Sequence, residues 1–144
     1  MGCATPLMIL DGKVTPMPVR HAAIGWKDTA EARRALHDLV ALLEPGCRVS
    51  VVSVGSSEAE NLKATESIKE VVRHLARHGL NAQEYQIVGE GQTAAQALQG
   101  FAALHGAELL AIGAFAHSRL REIAFGGVTH SMIERAPLPL LLSR

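Results

Sequence analysis

Short apolar segments alternate with amphipathic segments along most of this chain, and that alternation strongly limits the folds open to it. Residues 21–26 and 48–54 have strand character, and residues 83–88 form a third, more polar strand suited to a sheet edge. Apolar runs at 108–113 and 138–142 complete a set of five strands. The order predicts an α/β fold: a five-stranded, Rossmann-like parallel sheet with right-handed crossovers and helices on both faces.

Polar residues before the helical segments predict where the helices begin. The three predicted capping pairs are Asp28 with Glu31, Ser57 with Glu60, and Thr93 with Gln96. Gly79 and Gly106 are placed to end the second and third helices. The predicted apolar stripe of the second helix consists of Leu62, Ile68, Val72, Leu75 and Ala76.

Composition restricts the classes of partner. The 144 residues suit one domain. The 14 basic and 14 acidic residues give a net charge of zero, so the overall charge does not attract the chain to nucleic acid. The apolar runs are too short to cross a membrane. Cys3 and Cys47 lack metal or redox spacing, which is typical of a reducing compartment. We therefore expect a cytoplasmic protein without nucleic-acid or membrane partners.

A glycine-rich segment follows the strand-like run that ends at Gly113. Gly126 and Gly127 stand at the head of a predicted helix, where backbone N–H groups favour an anion. Ligands on open parallel sheets bind beyond the carboxyl ends of the strands, near the point where the strand order reverses. The turn at 27–29, which follows the first strand of the predicted domain, is expected to meet the glycine loop there.

In this region the chain resembles the universal stress protein family, whose signature is Gly, two residues, Gly, nine residues, then Gly and a hydroxyl residue. Gly113 and Gly126 match the first and third glycines, Ala116 replaces the second, and Gly127 replaces the hydroxyl residue. The resemblance is close over the final third of the chain, and the order of elements extends it to about residues 20–144. It implies a nucleotide-binding protein of the adenine-nucleotide-alpha-hydrolase-like fold.

The resemblance further implies a site for ATP or AMP, with Mg²⁺ as a counter-ion. Lys27 takes the position that is acidic in the family, with Asp28 next to it, so Lys27 is a candidate phosphate contact. Each of these residues also has an interpretation without a ligand. Arg119 and Arg121 could be solvated surface residues, and Gly126 and Gly127 could serve only the tight packing of a helix against a strand. The candidate nucleotide-binding residues are Lys27, Asp28, Thr29, Val54, Gly113, Ala116, His117, Arg119, Gly126, Gly127, Val128 and Thr129.

No catalytic or metal-binding pattern stands out in the sequence. His74 and His78 are four residues apart on a predicted helix without an evident third ligand, which favours a polar helical face. Trp26 is expected to pack under the first helix, with stacking on a base as the alternative.

We expect a binding protein that does not turn over its ligand. A stress-response scaffold that binds no nucleotide is the main alternative, and a Rossmann-type dinucleotide enzyme is disfavoured because the first strand–helix turn lacks G-x-G-x-x-G.

The first twenty residues stand outside the alternating pattern, so we divide the chain into an extension, 1–20, and a domain, 21–144. Residues 6–10 resemble residues 139–142. Tandem universal stress proteins place the last strand of one domain just before the first strand of the next, so the chain resembles a second domain that kept the last strand of a lost first one. A hairpin around Asp11-Gly12, with Val14 in the returning strand, is the alternative. The resemblance also implies a homodimer through the C-terminal strand, Leu138 to Leu142, which we expect at the sheet edge. If residues 5–10 are a leftover strand, the same edge is open to them for pairing, within one chain or between two, which would alter the dimer.

Overall fold

A computed structural model describes residues 6–9, 18–113 and 138–143 of the chain. These residues contain three helices and six strands of a single sheet. In chain order the elements are β1 (Leu7–Ile9), β2 (His21–Gly25), α1 (Ala30–Leu42), β3 (Arg48–Gly55), α2 (Glu58–Arg77), β4 (Asn81–Val88), α3 (Ala94–His105), β5 (Leu109–Gly113) and β6 (Leu140–Ser143).

The sheet has the strand order β1-β6-β5-β2-β3-β4. The five strands from β2 to β6 run parallel, which confirms the predicted fold class. The polar strand β4 lies at one edge, as predicted. The first of these five strands, β2, pairs with β3 on one side and β5 on the other, so the strand order reverses beside β2. This reversal positions the crevice at the carboxyl ends of β2 and β5.

The prediction that the C-terminal strand forms the other sheet edge is wrong. The short strand β1 pairs antiparallel with β6, with Met8 opposite Leu141, and β1 is itself the edge strand. Backbone groups of β6 are therefore paired on both sides, to β5 and to β1. The turn at Asp11-Gly12 and residue Val14 of the alternative hairpin lie outside the described residues. The division into an extension and a domain stays a prediction, although Val19 is buried in the core.

Alternate residues of the strands face two separate apolar layers. One layer packs against α1 and α2, where Ile24 and Val51 have no exposed surface. The other layer packs against α3, whose Leu98 and Phe101 cover the opposite face. Helices therefore cover both faces, as the period of two along buried strands requires.

Helix α1 begins one residue later than predicted, because Thr29 and not Asp28 is the N-cap. The Thr29 hydroxyl oxygen accepts a hydrogen bond from the Ala32 amide at 3.2 Å. The Asp28 carboxylate instead forms an exposed ion pair with Arg33, five residues further on. Asp28 and Thr29 are adjacent and both residue types favour the N-cap position, so the sequence alone did not distinguish them.

The other two helix starts agree with the predicted caps. Thr93 and Gln96 form a reciprocal capping box at α3. Ser57 caps α2 by accepting from the Glu60 amide, but the Glu60 carboxylate accepts from Ser56. The predicted stops are also confirmed, since Gly79 and Gly106 follow the helices with φ of 77° and 70°.

The predicted apolar stripe of α2 is partly wrong. Ile68 and Leu75 are fully buried, but Leu62 is 74% exposed, and the polar Asn61 beside it is buried. One residue is a 100° step around a helix, so Asn61 faces inward at the turn where Leu62 faces out. The Asn61 side-chain amide donates to the Ile87 carbonyl at 3.3 Å, which compensates part of the cost of burying Asn61.

Within the described residues, no helix is long and apolar enough to cross a membrane.

A buried histidine begins β2. His21 is 5% exposed, and its Nε2 atom lies 2.8 Å from the Ser50 hydroxyl oxygen on β3. Its Nδ1 atom has no hydrogen-bond partner among the described residues. Burial lowers the pKa of His21 from its ordinary value of 6.5, and Arg48 lowers it further, while the backbone of His105 and the Glu108 carboxylate act in the opposite direction. His21 is therefore harder to protonate in the folded chain than in the unfolded chain.

This difference predicts that acid destabilises the protein through His21. As the pH falls through 6.5, the unfolded chain takes up a proton that the folded chain binds less readily, so the free energy of unfolding falls by at most about 1.4 kcal/mol per pH unit for this group. Urea unfolding between pH 8 and pH 5 measures the slope. His21→Gln should make it shallower, whereas Ser50→Ala should lower stability at every pH and keep the slope. An unchanged slope in His21→Gln would contradict the assignment.

Candidate functional site

A cavity of about 230 Å³ opens at the carboxyl ends of β2 and β3, against the first turns of α2. Three residues predicted for the nucleotide site, Lys27, Asp28 and Val54, line this cavity. They come from the ends of two strands that are adjacent in the sheet. The other lining residues are Trp26, Ser53, Gly55, Glu60, Asn61, Lys63, Ala64 and Ser67.

Trp26 forms a rigid wall of the cavity. Its backbone amide donates to the Val52 carbonyl at 2.7 Å, and its indole N–H donates to the Ser67 hydroxyl on α2 at 2.9 Å. The side chain is 6% exposed and belongs to the apolar layer that includes Leu36 of α1. The predicted packing under the first helix is therefore confirmed. Both ends of Trp26 are tied, so the ring is a preformed surface.

Gly55 and Asn61 close the end of the cavity at the carboxyl end of β3. A Cβ atom at Gly55 would lie 2.4 Å from the Asn61 Oδ1 atom, so only glycine permits this approach. Asn61 Oδ1 is buried and has no hydrogen-bond partner among the described residues. The Asn61 carbonyl accepts from Gln86 of β4 at 2.9 Å, which ties this turn of α2 to the sheet.

Charged groups of both signs surround the cavity. Lys27 and Lys63 bring two ammonium groups to it, while the Asp28 carboxylate is engaged by Arg33. Hydrogen bonds from the Ser56 hydroxyl and amide lower the pKa of Glu60, and Lys27 and Lys63 lower it further. Both carboxylates are thus already partnered, whereas the two lysines supply positive charge for an anion.

Two further predicted residues, Thr29 and Gly113, meet at the first turn of α1. The Thr29 hydroxyl is used as the helix cap. Gly113 ends β5, and a Cβ atom there would lie 2.6 Å from the Glu31 carbonyl carbon and 2.7 Å from the Ala32 amide nitrogen. Gly113 therefore allows close packing of α1, and its φ is not in the left-handed region. This contact places the start of the glycine loop beside the α1 N-terminus.

The remaining predicted residues cannot be placed relative to the cavity, because they lie outside the described residues. They are Ala116, His117, Arg119, Gly126, Gly127, Val128 and Thr129. Their part in the site stays a prediction. Of the twelve candidates, the structure brings Lys27, Asp28 and Val54 to one cavity and Thr29 and Gly113 to one helix end.

Two larger cavities are present on the described part of the chain. A groove of about 760 Å³ between α1 and α2 adjoins the first cavity and shares Trp26, Asp28, Lys63 and Ser67 with it. A cavity of about 330 Å³ lies at the opposite end of the sheet, beside His21 and Tyr85. Size alone would favour the groove as the binding site. We favour the smaller cavity, because ligands of open parallel sheets bind at the carboxyl ends of the strands.

Sequence reasoning missed the contribution of α2 to the cavity wall. Asn61, Ala64 and Ser67 recur three residues apart in the first half of α2 and face the strand ends. Small or polar residues at helical spacing, placed directly after a strand, were the available signal.

Among the described residues no three His, Cys, Asp or Glu side chains could hold a metal ion. The rings of His74 and His78, the pair considered from the sequence, lie 4.8 Å apart.

The fold and the crevice beside β2 define a class of α/β proteins that bind ligands at the end of a parallel sheet. The sequence model of the universal stress protein family matches residues 19–144, and the chain belongs to this family. A search of the curated protein sequences gives no significant match.

Solved structures share the fold at low sequence identity. A universal stress protein from Archaeoglobus fulgidus has a TM-score of 0.73 and 16% identity, over 98% of this chain and 50% of that chain. A universal stress protein in complex with cAMP has a TM-score of 0.67 and 17% identity, over 88% and 97%. A family member from Arabidopsis thaliana with AMP bound has a TM-score of 0.61 and 11% identity, over 85% and 89%. At these identities the likeness concerns the fold.

The contact between Gly113 and α1 predicts a local limit on side-chain size. Gly113→Ala should lower the free energy of unfolding by about 1–3 kcal/mol, because its Cβ would meet backbone atoms that cannot rotate away. Gly100→Ala is the matched control, since nothing lies within 4 Å of a Cβ there, in the interior of α3. The control should stabilise by about 0.5–1 kcal/mol. Urea unfolding measures both, and equal effects would contradict the packing argument.

Proposed function

We propose that this universal stress protein binds an adenine nucleotide, ATP or AMP, in the crevice at the carboxyl ends of β2, β3 and β5. The observation that carries the proposal is that Lys27, Asp28 and Val54, selected from separate strand ends, line one cavity. Two relatives of the same fold, one in complex with cAMP and one with AMP bound, support the choice of an adenine nucleotide.

The size of the cavity suggests how the nucleotide lies. At about 230 Å³ the cavity is smaller than the about 300–1,000 Å³ of typical small-molecule pockets, so it suits one end of the ligand. We propose that the base occupies this cavity, against Trp26 and Val54. The phosphates then extend from it past Lys27 toward the loop that begins at Gly113, where Gly126 and Gly127 would supply backbone N–H groups and Mg²⁺ would be a counter-ion.

We further propose that the protein holds the nucleotide without turning it over, as a cytoplasmic stress-response protein. Hydrolysis requires a group that activates water, and the two carboxylates at the cavity are engaged, Asp28 by Arg33 and Glu60 by Ser56. Lys27 and Lys63 instead favour retention of an anionic ligand.

Nucleotide titration tests the proposal directly. Trp26 is the single tryptophan of the chain, so its fluorescence should change when ATP or AMP enters the cavity that it lines. Lys27→Glu should weaken ATP binding about tenfold or more, because a hydrogen bond to a charged group contributes about 1.5–3 kcal/mol. Lys69→Glu makes the same charge change on the exposed side of α2, away from the cavity, and should leave the affinity within about twofold.

Two outcomes would contradict the proposal. Flat titrations with both nucleotides, together with no adenine nucleotide in native mass spectra of the purified protein, would favour the scaffold that acts through protein partners. Equal weakening by Lys27→Glu and Lys69→Glu would mean that net charge, and not contact at the cavity, determines the affinity.

A further inference from the structure

The pairing of β1 with β6 reproduces the geometry of a symmetric strand pair. Two copies of a chain related by a two-fold axis pair the same strand with itself, and the two strands are then antiparallel. Centred on Leu141, such a pair of β6 strands would place Leu140 opposite Leu142, and Leu141 opposite Leu141 of the second copy. β1 also runs antiparallel to β6, although the other five strands are parallel.

The register of β1 matches this symmetric pair residue by residue. Pro6 and Pro139 each precede three apolar residues, so aligning the prolines equates Leu7–Ile9 with Leu140–Leu142. The observed partners are Leu7 with Leu142, Met8 with Leu141, and Ile9 with Leu140. All three pairs are those of the two-fold arrangement centred on Leu141. A slip of one residue would change every pair and turn each side chain to the opposite face.

We propose that β1 is an intramolecular substitute for β6 of a second copy, and that it closes the sheet edge through which two copies of this chain would otherwise pair. The side chains of β6 are all buried, so an uncovered β6 would present an apolar strand with a row of unpaired backbone groups. β1 leaves an outer edge of only three residues, next to Pro6. Short edge strands and proline both discourage further pairing.

The fold match to the universal stress protein from Archaeoglobus fulgidus covers 98% of this chain and leaves out about three of the 144 residues, so it extends into the first twenty. This chain covers half of that longer chain. The matches to the cAMP complex and the Arabidopsis thaliana protein cover 88% and 85% of this chain.

Solution mass tests the proposal on the full chain. The test variant combines Leu7→Gly, Met8→Pro and Ile9→Gly, which remove the side chains and one N–H group of β1. Met8→Leu is the control, because it makes β1 more like β6. Light scattering after size exclusion should give the mass of one chain for the wild type and the control, and of two chains for the test variant at micromolar concentration. The same mass for all three would overturn the proposal, provided that circular dichroism shows them equally folded.

A disulfide test distinguishes pairing within one chain from strand exchange between two, and it does not depend on the test variant. Met8→Cys with Leu141→Cys, in a Cys3→Ser background, places two thiols at directly paired positions. Mild oxidation should yield a disulfide within one chain, seen by intact mass and non-reducing electrophoresis, while Met8→Cys alone should yield none. A covalent dimer, or introduced thiols that both stay free after oxidation, would overturn the proposal.

Discussion

Two glycines at the carboxyl ends of the central strands set how closely helices approach the two faces of the sheet. A Cβ at Gly113 of β5 would lie 2.6 Å from the α1 backbone, and a Cβ at Gly25 of β2 would lie 2.8 Å from Leu98 of α3. Because β2 and β5 are neighbours, both approaches occur where the strand order reverses. The crevice therefore lies where the backbone of α1 packs against Gly113 and the Leu98 side chain of α3 packs against Gly25.

The cavity depends on this arrangement through α1 and Trp26. The approach of α1 to Gly113 positions the helix start, and with it the turn that contains Lys27 and Asp28. Trp26 precedes this turn and is held by Ser67, so α2 is tied to the same wall. The positions of the cavity walls therefore follow from the packing of α1 and α2 on the strand ends, and the cavity they leave has a volume of about 230 Å³.

The sequence was sufficient for the fold class but not for several local choices. Apolar periodicity and caps predict elements because those signals act within a few residues. Asp28 and Thr29 are both residues that favour an N-cap, and in the structure Thr29 caps α1 while Asp28 pairs with Arg33. Leu62 was assigned to the core, but the contact of Asn61 with Ile87 sets how α2 rotates. The α2 wall of the cavity was missed for the same reason, since it depends on contacts between distant segments.

The sheet edge was mispredicted because the pairing of β1 is also a long-range contact, between residues more than 130 positions apart. Local pattern identifies residues 6–10 as strand-like, but it leaves open whether they turn back in a hairpin or pair with the C-terminal strand, and it does not give the direction of pairing. The structure also separates this edge from the cavity: β1 and β6 lie on one side of β5, while the cavity lies at β2 and β3 on the other. The residues of β6 that pair with β1 and the residues that line the cavity are therefore different, so a change in strand pairing at this edge leaves the lining of the cavity in place.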